Sequence, residues 1–143
     1  MFAACSRGYR TDVSGPDITL RWAFDGWASL SELRRTVYAT ALRTDVPADA
    51  VDGFVVAVSE VATNALVHGV PPFRVVLSAA AQALQCAVTD GGDGISDEPA
   101  LTAPLDGSRP DHGMGLWAVH ELCDSVTYTR DDDGFTVQVA VEG

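Results

Sequence analysis

Glu60, Asn64 and His68 recur at four-residue intervals within Ser59–Gly69, which reads SEVATNALVHG. On a helix, at about 100° per residue, the three side chains fall within about 80° of one another. Val51, Phe54, Val58, Val61, Ala62, Ala65 and Leu66 gather on the opposite side, the face a core would take. A carboxylate, a carboxamide and an imidazole thus form one narrow polar stripe on a helix otherwise built for burial, and such a stripe costs stability unless something polar meets it. Taken singly, each is an ordinary solvated residue. Two further features give the stripe weight. Asp90-x-Gly92-x-Gly94 directly follows an apolar strand pattern, and Gly113-x-Gly115-Leu116 stands at a helix start. An aspartate at a strand end can accept a hydrogen bond from an exocyclic amine, and flanking glycines let a flat ring approach the backbone. Glycines at a helix N-terminus expose unpaired N–H groups suited to phosphate oxygens. A carboxamide oxygen beside phosphates suits Mg²⁺, and a neighbouring carboxylate can act as a general base. D-x-G-x-G alone is a common turn and G-x-G a common cap. Together and in this order they compose an ATP site that uses no lysine.

The elements that must position these groups are legible from periodicity. Asp17–Phe24 alternates Ile18, Leu20, Trp22 and Phe24 against Thr19, Arg21 and Ala23, a half-buried strand. Ser29-Leu30-Ser31-Glu32 offers a capping box for a helix carrying Leu30, Leu33, Val37 and Ala41 and ending near Thr44. Pro47 opens the second helix and Gly69-Val70-Pro71-Pro72 stops it. Phe73–Ser78 and Leu84–Thr89 read as strands joined by a loose Ala79–Ala83 turn. The Gly-, Pro-, Asp- and Ser-rich stretch from Asp90 to Gly113 is too long to be idle. A helix with Leu116, Val119, His120 and Cys123 follows, and Ser125–Thr129 and Phe135–Val141 make a terminal hairpin through Asp131-Asp132-Asp133-Gly134. Residues 1–16 lack periodicity and are expected to be a flexible tail, with residues 17–143 as one domain. The order predicts an α/β fold with one mixed sheet and helices on one face.

Composition narrows the function. The chain has 143 residues and a formal net charge of −11, and all nine basic residues are arginine. So acidic a domain is a poor partner for a phosphate backbone, so no nucleic acid is expected. Without lysine there is no Walker-A phosphate lysine and no Schiff base. Cys5, Cys86 and Cys123 are odd in number and widely spaced, which argues for a reducing compartment and against a disulfide framework or zinc site. No signal peptide and no membrane-spanning segment is expected, which predicts a cytoplasmic protein.

The pattern E-x-x-x-N-A-x-x-H, then D-x-G-x-G, then G-x-G-L resembles the N, G1 and G2 boxes of the GHKL ATPases, the superfamily of gyrase, histidine kinases and MutL. The short build and SEVATNALVHG resemble the bacterial anti-sigma factors that double as serine protein kinases. The resemblance covers roughly residues 17–141 and implies the Bergerat ATP-binding fold, a two-layer α/β sandwich. It also implies roles: Glu60 as general base, Asn64 as Mg²⁺ ligand, and His68 lining the phosphate side. Asp90 would receive the adenine amine, with Gly92, Gly94 and Ile95 shaping the ring pocket. Gly113, Met114, Gly115 and Leu116 would hold phosphates, with 95–112 as the lid. The kinase group carries an arginine beside the G2 box; here Asp111 and His112 stand there and Arg109 is displaced towards the lid, either to swing in or to remain a solvated loop residue. The N-terminal tail aligns with nothing in the family.

The resemblance implies an ATP- and Mg²⁺-dependent serine/threonine kinase that phosphorylates an anti-sigma-factor antagonist, sequesters a sigma factor and forms a homodimer. The alternative is an ATP-binding regulatory module without kinase activity that switches binding of a protein partner. A histidine kinase is disfavoured, because the chain has no room for a helical dimerisation region bearing a phospho-accepting histidine.

Overall fold

Alternation in the strands and a 3.6-residue period in the helices gather the buried apolar side chains into one core. The computed structural model describes residues 10–14, 17–24, 26–91, 113–132 and 134–143. Its elements are β1 (Arg10–Ser14), β2 (Asp17–Phe24), a 3-10 turn (Trp27–Ser29), α1 (Leu30–Ala41), α2 (Ala48–His68), β3 (Phe73–Ala80), β4 (Ala83–Asp90), α3 (Gly113–Leu122), β5 (Ser125–Asp131) and β6 (Gly134–Glu142). The sheet has six strands in the order β1-β2-β3-β4-β6-β5. Its register aligns Leu20, Leu77, Cys86 and Val139 across four strands, and all four are buried. The helices cover this face, with α2 against β4 and β6 and α1 against β3. The expected two-layer sandwich is therefore the architecture.

The pairing differs from the expected mixed sheet, because every neighbouring pair is antiparallel. β4 and β5, linked through α3, do run parallel, but β6 lies between them and pairs antiparallel with both. The intervening hairpin strand removes the one parallel contact that a strand–helix–strand crossover would otherwise make.

Four further local expectations are corrected. Residues 10–14, assigned above to the flexible tail, form edge strand β1, whose register with β2 pairs Val13 with Ile18. Ser29 makes no capping hydrogen bond from its side chain. Its φ of −82° and ψ of −11° continue the preceding 3-10 turn into α1, and the extended backbone that a capping side chain needs is absent. The turn between β3 and β4 is a tight Ala81-Gln82 pair. Asp45 N–H donates to Ala81 O at 2.6 Å and Gly143 N–H to Gln82 O at 2.7 Å, which satisfies carbonyls that a loose loop would leave to water. Lastly, α2 is long and apolar enough by composition to cross a membrane; in the fold it is the central core helix.

α2 holds the core together. Val51, Phe54, Ala57, Val58, Val61, Ala62 and Ala65 are buried along it, with Phe54 fully enclosed. α1 buries Leu30, Leu33, Val37, Thr40 and Ala41, and Arg34 Nη1 donates to Ser59 Oγ at 3.1 Å across the α1–α2 groove. Between these helices Thr44 Oγ1 donates to Ala41 O at 2.7 Å and accepts from Val46 N–H at 3.2 Å, closing one helix before Pro47 begins the next. α3 buries Val119 and is latched to β5 by a 2.5 Å hydrogen bond between His120 Nε2 and the Tyr128 hydroxyl.

Candidate functional site

The polar stripe faces the place where α3 runs. Gly53 lies against Leu122, with a Cβ added at Gly53 falling 3.3 Å from Leu122 Cδ2. On the wheel, Gly53 sits about 20° from Glu60 and about 20° from Asn64, so this contact fixes the direction of both. Glu60 and Asn64 are half-buried, whereas His68 is exposed at the helix end. Leu122 is the last residue of α3, and α3 packs along α2. With a rise of 1.5 Å per residue, Gly113 stands about 14 Å from Leu122 along α3. The N–H groups of Gly113, Met114 and Gly115 in the first turn of α3 have no i→i−4 partner within the helix, and that of Leu116 follows them. Such unpaired donors at a helix start suit an anionic ligand.

Asp90 completes the arrangement from the sheet. It is the last residue of β4 and, among the described residues, the single charged side chain in the buried class, at 5% exposure. Burying a carboxylate is costly unless donors meet it. Val70 N–H donates to Asp90 Oδ1 at 3.4 Å, while Gly91 N–H donates in return to Val70 O. Asp90 is thereby tied to the chain just past the end of α2. Beside it, its cross-strand partner Phe135 stacks on Tyr128 with ring centroids 6.3 Å apart, and the Arg130 guanidinium lies 5.7 Å from the Phe135 centroid. Thr89 and Thr136 share a 2.7 Å hydrogen bond, pinning the two strands one residue away.

The site is thus strung along α2, with Asp90 at its C-terminal end, Asn64 a turn and a half back, and Glu60 a turn beyond. Gly92, Gly94, Ile95, Arg109 and the 95–112 lid lie outside the described residues, as do Asp111 and His112. Gly113, Met114, Gly115 and Leu116 are placed by their backbone in the first turn of α3. Among the described residues no three His, Cys, Asp or Glu side chains converge as a metal cage. Asn64 with ligand phosphates and water is the donor set that fits Mg²⁺, which is commonly held through substrate phosphates. Gly69 and Val70, which border Asp90, escaped the sequence reading because G-V-P-P registers only as a helix stop.

Residues 27–141 match a family model described as the histidine kinase-like ATPase domain. No curated protein matches the chain at a significant level. The matched span begins at the turn before α1 and ends in β6, so it includes every element that carries the candidate site. The two-layer arrangement agrees with the Bergerat fold. The chain belongs to the histidine kinase-like ATPase family of ATP-binding domains.

Proposed function

We propose that this chain is an anti-sigma regulator that uses ATP and Mg²⁺ to phosphorylate a serine or threonine of an antagonist protein and that sequesters a sigma factor. The observation that carries the reading is the placement of Glu60 and Asn64 on the flank of α2 facing α3, with Asp90 buried at the end of the same helix. In this reading Asp90 accepts the adenine amine and the first turn of α3 holds phosphate oxygens. Asn64 supplies a carboxamide oxygen to Mg²⁺. Glu60 takes the proton of the attacking hydroxyl, a role a pure binding module would not need. ATP itself supplies the phosphoryl group, and positioning and charge stabilisation do the rest. The net charge of −11 suits docking on basic sigma-factor regions, and β1, an edge of the described sheet, suits a homodimer through its strand edge. A cytoplasmic location follows from this role.

A second reading is favoured by Asp111-His112 standing directly before Gly113, where the kinase group has its arginine. There ATP occupancy alone would switch affinity for a protein partner. Incubation with γ-labelled ATP and a candidate antagonist separates the two. The kinase reading predicts label on a serine or threonine of the antagonist with wild type and a loss of at least about a hundredfold with Glu60→Ala, the usual scale for a general base. ATP binding without label transfer to any antagonist would favour the switch.

A further inference from the structure

We propose that Gly69 is the positioning residue for the Asp90 carboxylate, so that base recognition is set by the C-terminal end of α2. The inference rests on the nucleotide reading above and adds to it a residue outside the three sequence boxes.

Gly69 caps α2, with its N–H donating to Ala65 O at 2.7 Å. Its φ of −90° and ψ of −175° are extended backbone that any residue adopts. Conformation therefore does not demand glycine here; space does. A Cβ at this position would lie 2.5 Å from Asp90 Cγ and 2.7 Å from Asp90 Oδ2, and 2.6 Å from Ala65 O. Both are far inside van der Waals contact. The carboxylate occupies the volume that any other side chain would take.

The approach is held from both sides. Val70 N–H reaches Asp90 Oδ1, and Gly91 N–H returns to Val70 O, so residues 69–70 and 90–91 clasp each other. Gly91 is close-packed in the same way, since its Cβ would lie 2.8 Å from Pro71 O and 3.2 Å from Val70 O. Close packing at both glycines leaves the Asp90 carboxylate little freedom. Asn64 lies on the same helix about 8 Å from Gly69 along its axis. The clasp thus couples the group that would read the base to the residue that would hold the cation.

The test compares ATP with purine riboside triphosphate, which lacks only the exocyclic amine, by calorimetry with Mg²⁺ on wild type, Gly69→Ala and Asp90→Asn. Wild type is expected to favour ATP by about tenfold or more, the worth of one hydrogen bond to a charged group. Gly69→Ala is expected to reduce that preference to less than about threefold, as Asp90→Asn does, while the affinity for the amine-free nucleotide changes by less than about threefold. A merely structural role would weaken both nucleotides together and leave their ratio intact, which overturns the proposal but not the nucleotide site. Wild type binding neither nucleotide overturns the site and the proposal with it. Should Gly69→Ala fail to fold, Gly91→Ala displaces the same clasp from the other side without entering the last turn of α2. It is expected to erase the preference too, and a preserved preference overturns the proposal.

Discussion

Gly53 of α2 and Leu122 of α3 meet in the seam between the two helices that frame the candidate phosphate side, leaving 3.3 Å between an added Cβ and Leu122 Cδ2. Mid-helix glycine costs about 0.5–1 kcal/mol relative to alanine, so its presence in an otherwise well-formed helix marks a packing need. Gly53→Leu should overpack this seam and lower stability by about 1–3 kcal/mol in urea unfolding. It should also weaken ATP binding by displacing α3. An unchanged midpoint would mean that α3 does not seat on Gly53.

The Thr40 hydroxyl is fully buried on α1 and has no hydrogen-bond partner among the described residues. Leaving such a group unsatisfied costs about 1–3 kcal/mol, whereas an apolar group of the same shape carries no such penalty. Thr40→Val should therefore raise stability by about 1 kcal/mol, read from the denaturation midpoint. By contrast Phe54→Ala, at the enclosed centre of α2, should lower it by about 3–5 kcal/mol. A destabilising Thr40→Val would reveal a partner for the hydroxyl.

Alkaline pH should unfold the protein through groups held neutral by burial. Burial, and secondarily the neighbouring Cys123, pushes the Cys86 thiol up from 9.0 to about 12; burial also raises the Tyr128 hydroxyl from 10.0 to about 12. Both folded values lie above the unfolded ones, so the folded state keeps protons that the unfolded chain releases. The stability they contribute is fully present below about pH 9 and is lost as pH rises through 12. Cys86→Ala should flatten the part of this decline that begins at pH 9, measured by urea unfolding at stepped pH. An identical slope in the variant would show that Cys86 does not contribute. The same burial should keep Cys86 inert to alkylating reagents in the native protein at pH 8.

Much of this was legible in the sequence where one physical rule acts alone. The period of α2 singled out Val51, Phe54, Val58, Val61, Ala62, Ala65 and Leu66; the first six are buried and Leu66 is half-buried against the core. Alternation in β2 likewise separated Ile18, Leu20, Trp22 and Phe24 from their polar neighbours. What escaped depends on partners distant in the chain. Arg10–Ser14 carries only Val13 as an apolar residue, and its strand conformation accompanies pairing along β2. The insertion of β6 between β4 and β5 is a choice of topology that no local pattern encodes. Gly69 looked like a helix stop because the carboxylate that requires it lies 21 residues later, on β4. For the candidate site, types and order were readable; the clasp that fixes Asp90 was not.

Calorimetry on wild type, Asp90→Asn and Glu60→Ala shows whether a Mg²⁺-dependent ATP site is strung along α2. Wild type should bind Mg·ATP. Asp90→Asn should lose about tenfold or more in affinity, because the amide cannot replace a charged acceptor, and Glu60→Ala should still bind. Wild-type protein that takes up no nucleotide in the presence of Mg²⁺, or Asp90→Asn binding as tightly as wild type, would contradict it.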